Sequence, residues 1–136
     1  MKRLRVLVLD SLVILDTVAL EREGFALEVT SLEYEEIFNA HGYKVCDSGS
    51  ALAHEGRNFD LIVIGNNLGT GLQYARVVPV EMRRRTLIVW NEYTPGDERG
   101  YARMGYRKFA SRKDQTDWLI RMAQRTVAAQ PLHKGT

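Results

Sequence analysis

The sequence predicts an α/β domain built on a parallel sheet covered on both faces. Leu4–Leu9, Phe59–Ile64 and Thr86–Trp90 are near-continuous apolar runs, the pattern of strands buried on both sides. Helix-sized stretches separate them, which is the alternation of a parallel sheet rather than of hairpins. Sharp helix boundaries add a third observation. Thr94-Pro95-Gly96-Asp97 supplies a capping hydroxyl, a first-turn proline and an acid three residues after the cap.

In chain order, Leu4–Leu9 is the opening strand, ending at Asp10. Residues 12–29 admit two readings. Leu12–Glu23 can be a helix stopped by Gly24, followed by a short strand Phe25–Val29. Alternatively, 12–20 and 25–30 can form a hairpin around Glu21-Arg22-Glu23-Gly24. The helix reading is preferred. Thr30-Ser31-Leu32-Glu33 fits a capping box, and Leu32, Ile37 and Phe38 suit one buried helical face up to Gly42. Gly42–Val45 reads as strand, and Cys46 after it as an inert buried thiol. Phe59–Ile64 enters the Gly/Asn loop Gly65–Gly71. Thr86–Trp90 leads to the helix 95–104, with Gly105 as its stop. The last helix runs from near Asp114 to about Ala128, its apolar positions Trp118, Leu119, Met122 and Val127 at helical spacing. Residues 1–128 form one domain, and 129–136, with Pro131 and Gly135, a frayed tail.

The 136 residues suit one domain with a sizeable core. No apolar run approaches the roughly 20 residues that span a bilayer, so no membrane association is expected. Val6–Leu9 is too short for a signal segment. The single cysteine excludes an internal disulfide and suits a reducing cytoplasm. Charge is uneven. Residues 1–60 carry 6 basic and 11 acidic side chains, and residues 61–136 carry 13 basic and 6 acidic. Arg83-Arg84-Arg85, Arg107-Lys108 and Arg112-Lys113 lie in the basic part. A solvated surface, an acidic protein partner, a head-to-tail self-contact or nucleic acid would each be consistent with that split.

The order of strands, loops and final helix resembles the receiver domain of response regulators, of the chemotaxis type. The resemblance covers about residues 4–10 and 42–125. It implies a doubly wound, flavodoxin-like sheet of five parallel strands, with an extra element between residues 12 and 41. It places a site at the carboxyl ends of the strands. Receivers use an acidic pair after strand one, a phosphorylated aspartate after strand three, Thr or Ser after strand four and Lys after strand five. The acids hold Mg²⁺. The matching positions here are Asp10-Ser11, Gly65, Asn91 and Arg112. Gly65 cannot accept a phosphoryl group. Asp10 alone is a poor Mg²⁺ site, because hard cations favour several oxygen ligands. Asp10 and Ser11 can equally be helix caps, and a salt bridge from Arg112 to Asp10 is conceivable. Leu68-Gly69 stands where the family has Met-Pro, and the loop to Gly71 is about two residues short. Phe109 holds the aromatic position that rotates in active receivers.

No other chemistry emerges. Gly65–Gly71 is rich in backbone donors but is neither G-x-G-x-x-G nor a P-loop. His41, His54 and His133 lack ligand spacing, so no metal is expected. Ser48 and Ser50 fail the nucleophile-elbow pattern. The expectation is a non-phosphorylatable pseudo-receiver: no enzyme, with no cofactor, working as a regulatory interaction module with a protein partner or as a homodimer. The face that receivers commonly use for output would here include Tyr101, Arg103, Arg107 and Phe109, with Arg121 and, unless it is core, Trp118. Aromatic plus Arg composition favours a protein contact over nucleic acid. A small-ligand or nucleotide binder using the Gly65–Gly71 loop is the alternative.

Overall fold

The computed structural model describes residues 2–9, 13–32, 56–67 and 69–129. Five parallel strands form one sheet in the order β2-β1-β3-β4-β5. They are β1 (Lys2–Leu9), β2 (Phe25–Leu32), β3 (Leu61–Asn66), β4 (Thr86–Trp90) and β5 (Phe109–Ser111). The helices among the described residues are α1 (Thr17–Arg22), α2 (Gly71–Ala75), α3 (Pro95–Arg103) and α4 (Gln115–Ala129), with 3₁₀ turns at Gly56–Asn58 and Val80–Arg85.

The central strands β3 and β4 are buried along their whole length, and nearly all apolar, because alternate residues serve opposite covered faces. Leu7, Leu9, Ile62, Ile64, Ile88 and Trp90 pack under α2 and α3, with Tyr74, Tyr101 and Tyr106. Val6, Val8, Leu61, Val63, Leu87 and Val89 pack on the other face, against Leu20 of α1 and Leu119, Met122 and Ala123 of α4. The two helical layers thus sandwich the sheet, as the apolar runs predict.

Residues 13–29 take the helix-plus-strand form, not the hairpin. The helix is shorter than expected. It starts at Thr17, where the Asp16 carboxylate accepts from the Ala19 amide (3.0 Å). Gly24, at φ +94°, turns the chain into β2. The capping-box reading of Thr30-Ser31-Leu32 does not hold. These residues continue β2 and pair with Leu7, Val8 and Leu9. Thr and Ser fit a strand as readily as a cap, and eight parallel pairs with β1 override the local signal. The helix expected up to Gly42, the strand Gly42–Val45 and Cys46 lie outside the described residues, as does the tail from residue 130. Of the extra stretch expected between 12 and 41, α1 and β2 are the described part.

Helix α3 begins and ends as the sequence predicts, with Gly105 at φ +98° beyond its last turn. Its cap differs. The Thr94 hydroxyl donates to the Glu92 carbonyl (3.2 Å) instead of capping the helix, and Asp97 is engaged elsewhere. Helix α4 matches its expected span within one residue.

Candidate functional site at the carboxyl ends of the strands

β3 runs two residues past the expected loop boundary. Gly65 pairs with Val89 and Asn66 with Trp90 inside the sheet. The Asn91 amide then donates to the Asn66 carbonyl (3.2 Å), extending the β3–β4 ladder. Gly65, Asn91 and Arg112 therefore surround one cleft, closed by Val13, Asn67 and Val89. Its free volume is about 10 Å³, room for about one water molecule at most. Asn91 Nδ2 donates to Asn67 Oδ1 (3.1 Å) across the mouth. Asp10 and Ser11 lie outside the described residues, and with them the conceivable Asp10–Arg112 pair.

Mg²⁺, which the receiver resemblance implies, does not fit the described side chains here. Gly65 presents none, and the residues named around the cleft contribute amides and one guanidinium but no carboxylate. Nor does any group of three His, Cys, Asp or Glu converge among the described residues.

The most constrained group is Asn66, which the sequence reading placed in a loop. Its side chain is buried at 1 % exposure. Nδ2 donates to the Asp97 carboxylate (3.0 Å), and Oδ1 accepts from the Tyr101 hydroxyl (2.7 Å). Asp97 and Tyr101 stand one turn apart on α3, so one amide fastens that helix to the end of β3. Each partner satisfies an otherwise costly buried polar atom.

Tyr101 was expected at the surface, as part of an interaction face. It is 0 % exposed. Helix α3 has no other large apolar side chain, so Tyr101 is the anchor by which the helix reaches the core. Its ring meets Trp90, Tyr106 and Phe109 edge-on, at centroid distances of 5.9, 5.9 and 6.4 Å. Phe109 is half-buried and stacks on Trp90 (5.7 Å, planes at 8°). Arg103 and Arg107 are exposed, as expected. Arg107 donates to the Ala102 carbonyl (3.2 Å). Exposed Tyr93, before the amino end of α3, is edge-on to Trp90 (5.5 Å). Trp118 packs against the α4-side core, with the Arg121 guanidinium over its ring (4.9 Å).

The glycines of the loop act differently from one another. Gly69 has φ +83°, the left-handed region that favours glycine. Gly71 does not. It opens α2 and is required by crowding: a Cβ there would fall well inside contact distance of the Tyr101 hydroxyl, and 2.8 Å from both the Gly65 carbonyl oxygen and Ile64 Cγ2.

No protein-family model matches the chain, and no curated protein matches its sequence. Solved structures do resemble it. A CheY-like receiver domain protein from Methanospirillum hungatei JF-1 superposes with a TM-score of 0.61 at 14 % identity, over 95 % of this chain and 100 % of that one. Chemotaxis protein CheY4 of Vibrio cholerae gives 0.57 at 20 % identity, over 91 % and 98 %. An atypical orphan response regulator, described as revealing a phosphorylation-independent regulatory mechanism, gives 0.52 at 17 % identity, over 93 % and 97 %. The fold is that of a response-regulator receiver domain. No described helix is long and apolar enough to cross a membrane.

Proposed function

We propose that this chain is a pseudo-receiver: a signalling module of receiver fold that does not accept a phosphoryl group and acts by contact with another protein. The observation that carries this reading is Gly65, a residue without a side chain at the carboxyl end of β3, beside a cleft of about 10 Å³. In receivers a carboxylate at this position attacks phosphorus, and Gly65 supplies none. The clamp of Asn66 on Asp97 and Tyr101 supports the reading further. It fastens α3 to the end of β3 through side-chain hydrogen bonds, beside the packed Tyr101 ring, and this fastening requires no phosphate. One superposed protein is described as phosphorylation-independent, which is consistent with this mode of action.

The contact surface is the exposed margin of α3 and the approach to β5, carrying Arg103, Arg107 and Tyr93. Tyr101, being buried, is no part of it. The basic excess of residues 61–136 suits an acidic partner, or the acidic first half of a second copy.

Incubation with acetyl phosphate and Mg²⁺ tests the reading by intact-mass measurement. No stoichiometric adduct is expected. A base-labile adduct at a carboxylate of this cleft would overturn it.

A further inference from the structure

The run Arg83-Arg84-Arg85 divides its work. The Arg83 guanidinium donates to the carbonyls of Met104 (2.7 Å) and Val78 (3.2 Å) and lies over the Tyr106 ring (5.5 Å), which gives it a structural role. Arg84, which also borders the Arg83 side beside Glu81, and Arg85 reach a second cleft. With Lys108 and Arg125 they line this cleft of about 270 Å³ between the amino-terminal ends of β3–β5 and the last turns of α4. This is the far end of the sheet from the cleft at Gly65, and away from the strand ends where open α/β sheets ordinarily bind ligands.

The floor of the cleft is apolar, formed by Leu61 and Met122, with the Thr126 side chain beside them. No carboxylate contributes to the lining. The ion pairs among the described residues engage Arg3, Arg5 and Arg57 instead. The Lys108 ammonium donates to the Arg84 carbonyl. Burial, and then the charges of Arg125 and Arg84, push its pKa down. Four cations around a partly dry floor repel one another, and an anion would relieve that repulsion.

We infer that this cleft binds a small organic di- or triphosphate, its phosphates held by Arg84, Arg85, Lys108 and Arg125 and its organic part on Leu61 and Met122. Charge sets the class. One phosphate group carries roughly 1.5–2 negative charges, so two match the four cations where a single carboxylate would not. Planar guanidinium groups are suited to paired hydrogen bonds with phosphate oxygens. A cleft of about 270 Å³ suits a small molecule, whereas a nucleic-acid strand would follow an extended basic groove.

Titration calorimetry of the full chain with pyrophosphate, ATP and AMP tests the inference, with amide NMR mapping the site. Pyrophosphate and ATP are expected to bind competitively and more tightly than AMP, shifting the amides of Leu61, Lys108 and Thr126. The double variant Arg84→Ala/Arg125→Ala, and separately Arg84→Gln/Arg125→Gln, should weaken pyrophosphate at least tenfold while leaving the circular dichroism spectrum unchanged. The inference is overturned by absence of pyrophosphate binding at millimolar concentration, or by shifts confined to the Gly65 end. Equal affinity in a folded double variant would also overturn it. A single-stranded oligonucleotide that outcompetes pyrophosphate with steep salt dependence would replace it with a nucleic-acid contact.

Discussion

The meeting of Gly71, Tyr101 and Asn66 makes a quantitative prediction. Tyr101→Phe removes the hydroxyl and leaves the buried Asn66 Oδ1 without that donor. An orphaned buried acceptor costs about 1–3 kcal/mol. At about 2.1 cal/mol/K per residue of unfolding entropy, that lowers Tm by roughly 3–11 °C for a chain of this length. Gly71→Ala places a methyl group against the same hydroxyl and 2.8 Å from the Gly65 carbonyl and Ile64. Overpacking costs about 1–3 kcal/mol, and displacing Tyr101 adds much of the lost hydrogen bond, for a total of roughly 2–5 kcal/mol. In the Tyr101→Phe background the hydroxyl is already gone, and only the carbonyl and Ile64 contacts remain. The two substitutions should therefore be less than additive by about 1 kcal/mol or more. Urea denaturation of the four proteins, followed by far-UV circular dichroism, measures this coupling. Additivity within about 0.5 kcal/mol, or an unchanged midpoint for Tyr101→Phe alone, would refute the geometry on which the clamp rests.

Charge reversal on the exposed margin, Arg103→Glu/Arg107→Glu, should leave Tm within a few degrees of the parent, because both side chains are exposed. It should abolish self-association in sedimentation, or capture of an acidic partner; association that survives it would move the contact surface elsewhere. Alkaline stability gives a separate check. Burial raises the pKa of the Tyr106 phenol, whose hydroxyl donates to the Ala75 carbonyl (2.6 Å). A group raised in the folded state lends stability that is complete below its unfolded pKa of about 10 and is lost as pH rises through the folded value. Denaturant midpoints should thus fall above about pH 10, and less steeply in Tyr106→Phe; parallel pH profiles for the two proteins would count against this.

Much of the fold was legible because its signals are local. Strands buried on both faces must be apolar throughout, and proline and glycine mark the ends of α3. Thr30–Leu32 misled because the residues that cap a helix also suit a strand, and only pairing with β1 decides between them. At the site, Gly65, Asn91 and Arg112 were readable from the order of the strands, and the structure brings them around one cleft. Asn66 was missed because β3 extends two residues further than its apolar run. Tyr101 was misjudged because its helix is otherwise polar and resembles a surface element. A helix with a single large apolar residue has only that residue with which to anchor itself, and this could have been inferred. Asp97 was assigned to a cap because the spacing from Thr94 fits one. Its pairing with Asn66, 31 positions away, leaves no trace in local sequence.

The Asn66 amide also limits which neighbouring sequences remain open to this chain. It must offer a donor to a carboxylate and an acceptor to a phenol at once, and an amide does both without charge. Asn66→Asp would set two carboxylates about 3 Å apart, where both cannot stay ionised and one would be forced to hold a proton. Asn66→Leu would strand Asp97 and Tyr101 together. An acidic residue at position 66 could keep both bonds only as a protonated carboxyl. Ionising it would release Asp97, and with it the fastening of α3, so the clamp would then come and go with pH.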